Sequence, residues 1–266
     1  MSILKNNSPI GFFDSGVGGL TVLKRLKELL PNENIIFYGD SAHVPYGEKT
    51  EEELLSYAKN ILAFFAGKDC KAVVMACNTT SSLIYNDIKG LYDFKLYPVV
   101  QSVAQVIAQL PIKRLGVFAT KATIESNAYP NEIHKYREDM QIFGQYCPNW
   151  VKIVEANTVE NPESVLDIKD NLNKMLEYNP EKIILGCTHY PYLLGILSKY
   201  APEDMFIDPS ISFAKFIKDD LTECNLLNKG NDLPTEEFYV SASPSLFKEA
   251  AARFYKLKKN PVLIEF

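Results

Sequence analysis

Short apolar runs alternate with amphipathic stretches along most of the chain, the pattern of strand–helix units around a mostly parallel sheet. Ile10-Gly11-Phe12-Phe13 predicts a first strand, and Leu20 to Leu30 a helix with apolar residues at Leu20, Leu23, Leu26 and Leu30, closed by Pro31. Ile35-Ile36-Phe37-Tyr38 predicts a second strand. A loop containing Gly and Pro follows, then a helix whose first turn, Glu51-Glu52-Glu53, suits the positive end of a helix dipole. Ala72-Val73-Val74-Met75-Ala76 predicts a third strand, which ends directly at Cys77. Pro98-Val99-Val100 leads into a helix near Val103 to Leu110, and Leu115-Gly116-Val117-Phe118 opens a fresh series of units. In that series Lys182-Ile183-Ile184-Leu185 is a strand ending at Gly186-Cys187, as the third strand ends at Cys77.

The fold class is therefore α/β, and its two halves carry parallel features. One crossing between lobes is expected near residue 98 and another near Asp208-Pro209. This assigns residues 1–97 plus 210–266 to a first lobe and 98–209 to a second. Phe213 to Leu221, the strand Phe238-Tyr239-Val240 and a helix around Leu246 to Phe254 form the return to the first lobe. There is no short-period repeat and no low-complexity linker.

Composition narrows the classes of function. The 266 residues suffice for two lobes of about 100 to 150 residues each. With 47% hydrophobic and 23% charged residues, the chain matches ordinary globular proteins rather than disordered or fibrous ones. A net charge of -5 gives no general attraction to a phosphate backbone or an anionic membrane, so a small molecule is the expected partner. Met1 to Pro9 has no apolar leader core, and no run approaches the roughly 18 apolar residues of a transmembrane helix. The expected location is the cytoplasm. Five cysteines at wide spacings with no CxxC pair speak for free thiols in a reducing compartment, against a disulfide framework or a zinc ribbon.

Four loops concentrate polar chemistry at or soon after strand ends, where open α/β sheets bind ligands: Asp14 to Gly19, Pro45-Tyr46-Gly47, Cys77-Asn78-Thr79-Thr80 and Gly186 to Pro191. A cysteine between a strand and a helix N-terminus sits in the helix dipole, which favours thiolate and lowers the usual pKa of about 8.5. Cys77 and Cys187 both have that setting, although unpaired cysteine is also a common small core residue. Asp14, His189 and Glu155 offer a carboxylate, an imidazole and a second carboxylate to tune such thiols; taken singly, Asp14 reads equally as a helix cap and His189 as a packing residue.

Gly16-x-Gly18 after a strand, with Asp40 further on, suggests a dinucleotide fingerprint, but Thr21 stands at its third glycine and Asp14 would repel the pyrophosphate. Backbone N–H groups in that loop suit a smaller anion such as an amino-acid carboxylate. The Cys187-Thr188-His189 spacing lacks further close ligands for a metal. No lysine stands at a comparable strand end for pyridoxal catalysis, so neither a cofactor nor a metal is expected.

Gly11-Phe12-Phe13-Asp14-Ser15-Gly16-Val17-Gly18-Gly19-Leu20-Thr21-Val22, Pro45-Tyr46-Gly47, Ala76-Cys77-Asn78-Thr79 and Gly186-Cys187-Thr188-His189-Tyr190-Pro191, in this order and spacing, resemble the bacterial glutamate racemases. The likeness spans about residues 8 to 209. It implies two pseudo-symmetric α/β lobes enclosing the substrate at their interface, and a cofactor-independent exchange of L- and D-glutamate that supplies D-glutamate for peptidoglycan and hence for cell shape.

By the same likeness Cys77 and Cys187 are the two acid/base thiols, Cys77 acting on D-glutamate and Cys187 on L-glutamate. Asp14 assists Cys77, while His189 and Glu155 assist Cys187. Asp14, Ser15, Pro45, Tyr46, Gly47, Asn78, Thr79, Thr120, Thr123, Thr188 and His189 hold the substrate. Two places depart from the pattern: Asn149, Trp150 and Lys152 interrupt the apolar stretch before Glu155, and His43 stands where arginine is common. A racemase of aspartate or another acidic amino acid, a non-catalytic amino-acid binding protein and a nicotinamide-dependent dehydrogenase stay open as alternatives, and a homodimer is neither required nor excluded by the residues.

Overall fold

A computed structural model describes residues 6–230 and 232–266; Met1 to Lys5, the start of the stretch without an apolar leader core, lie outside it. Among the described residues ten strands fall into two sheets: β1 (Ile10–Asp14), β2 (Ile35–Gly39), β3 (Ala72–Met75), β4 (Lys95–Pro98), β5 (Arg114–Ala119), β6 (Gln141–Tyr146), β7 (Lys182–Gly186), β8 (Phe206–Ile207), β9 (Glu236–Val240) and β10 (Val262–Leu263). The first sheet has the order β10-β9-β2-β1-β3-β4 and the second β6-β5-β7-β8, and every pairing is parallel.

Parallel strands need crossovers, and helices supply them on both faces. That is why β1 and β2 read as continuous apolar runs: all ten of their residues are buried. Phe12 and Phe13 point to opposite faces and enter two different cores, each ring contributing about 1.5–3 kcal/mol by leaving water. The core on one side of the first sheet holds Phe13, Tyr38, Leu62 and Phe65. The other core runs from Ile10 and Phe12 through Val103 and Phe213 to Phe118 and Ile184 of the second sheet. The helix Pro209–Glu223 helps to build that shared core by packing on both Leu20–Leu29 and Val99–Ala108.

Several boundaries differ from expectation for local reasons. Val99 and Val100, read as leading into a helix near Val103, are already the first turn of the helix Val99–Ala108, because Pro98 ends β4 in extended conformation and serves as the helix N-cap. Strand β6 was not foreseen, since its residues Gln141 to Tyr146 are half-exposed at a sheet edge and show no apolar run. The last helix is Pro244–Ala251, set by proline at its first position, and ends before Phe254. Among the described residues no helix is long and apolar enough to cross a membrane.

Both sheets change direction at one point. From β1 the chain adds β2 on one side and β3 on the other; from β5 it adds β6 on one side and β7 on the other. A crevice forms at the carboxyl ends of strands where order reverses in this way. Asp14 and Cys77 stand at the first such point, Thr120 and Cys187 at the second.

Candidate active site

The two crevices face each other, and glycines let them approach. A Cβ added at Gly18 would lie 2.4 Å from Thr188 Oγ1 and 2.6 Å from His189 Nδ1. One added at Gly47 would lie 2.7 Å from Thr120 Cβ. The glycine-rich loop thus serves first to seat the loop after β7 against the loop after β1, a close approach that no larger residue permits. Asp14 joins the same contact: Oδ1 accepts Gly16 N–H at 3.1 Å and Oδ2 accepts the Thr188 hydroxyl at 3.2 Å.

Cys187 sits in a hydrogen-bonded relay. Its Sγ lies 3.8 Å from His189 Nδ1, and His189 Nε2 lies 2.6 Å from Glu155 Oε1. Burial alone would hold the imidazole neutral, but Cys187 and Glu155 outweigh it and raise His189 well above its ordinary range. Burial pushes Glu155 the opposite way, yet its bond to His189 wins and its carboxyl lies below the usual range. The pair is an imidazolium held by a carboxylate, with Nδ1 directed at sulfur. The residues that interrupt the apolar stretch before Glu155 therefore leave its placement intact: Trp150–Glu155 forms a short helix whose Trp150 packs tilted on Phe118 and edge-on against Tyr190.

Cys77 is placed differently. It is the N-cap of the helix Asn78–Leu83, where the backbone N–H groups of Thr79 and Thr80 favour its thiolate without forming a capping hydrogen bond to the sulfur. The dipole argument predicts a lowered pKa, and here the structure overturns it: burial raises the Cys77 thiol to about 12, Asp14 adds to the rise, and the two N–H groups do not compensate. A six-residue helix contributes little field, whereas the sulfur has lost its water almost entirely. Burial likewise raises Asp14 against the opposing pull of His189. The resting site is asymmetric, with a protonated thiol at Cys77 and an imidazolium beside Cys187.

A belt of hydroxyls closes the remaining wall. Thr79 Oγ1 and Thr120 Oγ1 are 3.0 Å apart across the lobes, and Thr120 Oγ1 is 3.0 Å from Thr123 Oγ1. Ser15, Asn78, Thr79, Thr123, Thr188 and His189 are all buried. Pro45 and Gly47 line a cavity of about 330 Å³ with Thr120, Cys147 and Val151 at the seam between lobes. The structure thus brings together Asp14, Cys77, Glu155, Cys187 and His189 with the loops expected to hold substrate, and among the described residues no acidic, His or Cys cluster could hold a metal ion.

The profile of the Asp/Glu/Hydantoin racemase family matches residues 10–215. The chain belongs to this family. The glutamate racemase of Thermoanaerobacter sp. (strain X514) is 39% identical over 260 residues, covering 96% of each chain. Among solved structures, the glutamate racemase of Francisella tularensis in complex with D-glutamate aligns with a TM-score of 0.88 at 33% identity, over 97% of this chain and 98% of that one. The glutamate racemase isoform RacE1 of Bacillus anthracis aligns with a TM-score of 0.90 at 27% identity, over 98% of both.

Within this racemase fold the structure adds residues that sequence reasoning missed. Tyr129 donates to Asn78 Oδ1 at 2.7 Å and so fixes the amide beside Cys77. Tyr46 donates to Asp40 Oδ2 at 2.5 Å, while His43 Nδ1 meets Asp40 Oδ1 at 2.8 Å, so the Tyr46 hydroxyl anchors its own loop. Asp40 was legible only as part of a failed dinucleotide motif; Tyr129 carried no local signal.

The His189–Glu155 pair also gives a pH signature. His189 is raised, so its contribution to stability is complete below its ordinary value of 6.5 and is lost as pH rises through the folded value. Glu155 is lowered, so its contribution is present above its ordinary 4.5 and is lost as pH falls through the folded value. The pair stabilises most between 4.5 and 6.5. In thermal unfolding, His189→Gln therefore shows its largest deficit in that window and a shrinking one at alkaline pH. A deficit independent of pH contradicts the assignment of charge.

Proposed function

We propose that the protein is a glutamate racemase that moves the α-proton between two thiols, Cys77 and Cys187, without a cofactor. The observation that carries this reading is the pairing of the two cysteines at equivalent strand ends facing one interface, each with its own electrostatic partner. The near full-length likeness to glutamate racemases supports glutamate as substrate.

Racemisation needs removal of a weakly acidic proton from one face of the α-carbon and return of a proton to the other. Two fixed groups achieve this without a base travelling around the substrate. With L-glutamate, Cys187 takes the proton and Cys77, held as a thiol by burial, delivers its own to the opposite face. With D-glutamate the roles exchange. Glu155 keeps the His189 imidazole charged beside Cys187, Asp14 stands beside Cys77, and substrate is held by Asp14, Ser15, Pro45, Tyr46, Gly47, Asn78, Thr79, Thr120, Thr123, Thr188 and His189. Charge that develops on the carboxylate-stabilised carbanion meets N–H groups and hydroxyls in a site closed to water. Each positioned acid–base group is worth about 10²–10⁴-fold.

In this reading the lobes are residues 1–97 plus 210–266 and 98–209, supported by the division of strands between the two sheets. The protein acts in the cytoplasm, consistent with five free cysteines, and supplies D-glutamate to peptidoglycan synthesis. The test is deuterium wash-in: in heavy water, with no added cofactor, each glutamate enantiomer acquires deuterium at the α-carbon as it racemises. Binding without exchange is the result of a mere amino-acid binding protein, and faster exchange of aspartate transfers the activity to that substrate.

A further inference from the structure

The relay behind Cys187 is gripped from the opposite lobe. After the helix Pro244–Ala251 the chain makes a tight exit, with Phe254 and Tyr255 N–H groups both bonded to the Ala251 carbonyl at 2.9 and 2.8 Å. The Tyr255 hydroxyl ties this segment to Glu236 at the start of β9, with 2.9 and 3.0 Å contacts to the two carboxylate oxygens. From this anchored segment Arg253 Nη1 reaches across and donates to the Val154 carbonyl at 2.9 Å, the peptide immediately before Glu155. Next to it, buried Phe254 sets its ring edge-on to His189, with centroids 6.4 Å apart and planes at 80°, and packs on Tyr192 at 4.7 Å.

Glu155 and His189 belong to the second sheet's units, whereas Arg253 and Phe254 follow β9 of the first. We propose that Arg253 is a positioning residue for the Cys187 half of the reaction, fixing the peptide that carries Glu155 so that the carboxylate keeps His189 aimed at the Cys187 sulfur only while the lobes are docked. This rests on the reading above, in which Cys187 exchanges the α-proton. Arg253 touches none of the reacting atoms; its guanidinium also adds positive charge near Glu155. No such clamp reaches Cys77 from this segment, so the effect is one-sided.

One-sidedness is what the experiment reads. Substrate deuterated at the α-carbon slows only the step at the thiol that removes its proton: Cys187 for L-glutamate and Cys77 for D-glutamate. In Arg253→Ala, kcat falls about tenfold, a part of the range of a positioned acid–base group. The isotope effect with α-deuterated L-glutamate rises, because removal by Cys187 now limits the rate, and that with α-deuterated D-glutamate falls toward unity. Arg253→Lys keeps a donor and restores most of the rate, and Arg253→Gln, which keeps much of the stem, gives the same pair of shifts at less structural cost. Isotope effects that stay unchanged or move together in the slowed variants overturn the proposal, leaving a structural role alone. Failure of the wild-type enzyme to exchange the α-proton at all instead removes the reading on which it rests.

Discussion

Cys77→Ser and Cys187→Ser each lower the rate of racemisation by at least about 10³-fold, within the range carried by one positioned acid–base group. A serine hydroxyl keeps the shape of the side chain but holds its proton far more tightly, so it neither removes the α-proton nor is left poised to receive one. The two directions are bound together, because enantiomers have equal free energy in water and the equilibrium constant is one. Each substitution must therefore reduce kcat/KM equally from L- and from D-glutamate, whichever half-reaction it damages. Initial rates followed by circular dichroism from both enantiomers check this. Near wild-type activity in either variant removes that cysteine from the chemistry.

Gly18→Ala is expected to cost about 10²-fold in kcat, the penalty of misplacing reacting groups by about 1 Å. The added Cβ would stand 2.4 Å from Thr188 Oγ1 and 2.6 Å from His189 Nδ1, inside any normal contact, so the loop after β7 must retreat. That movement takes His189 away from the docked position in which it serves Cys187. Overpacking also lowers stability by about 1–3 kcal/mol. Gly67→Ala is the control: it lies at the end of the helix Glu51–Gly67 with open space around it, and activity there stays unchanged. Steady-state kinetics with thermal unfolding separate the two losses, and a Gly18→Ala enzyme of full activity would show that the lobes need not meet so closely.

Much of this architecture is legible in local pattern. Apolar runs such as Ile35 to Tyr38 and Ala72 to Ala76 mark parallel strands buried on both faces, and where they stop they deliver Asp40 and Cys77 to the same edge. The polar loops beside them carry the chemistry because a strand end is where backbone and side chains become free to meet a ligand. What escapes such reading is set by contacts between distant segments. Tyr129 lies 51 residues from the Asn78 it holds, and Arg253 lies 99 from Val154. Nothing in the neighbouring residues encodes either.

The protonation of Cys77 was misjudged for a related reason. Its helix position is visible in the sequence, but its solvation is a property of the assembled lobes, and burial outweighs a short helix's dipole. A thiol pushed up to about 12 is an acid waiting for a carbanion, while the sulfur opposite lies 3.8 Å from the imidazole of His189.

The most direct measurement is a crystal structure of the protein with glutamate bound. The account predicts the α-carbon lying between the sulfurs of Cys77 and Cys187, each at about 3.5 Å and on opposite faces of the carbon. Both sulfurs on the same face, or one of them out of reach while substrate is seated, would contradict it.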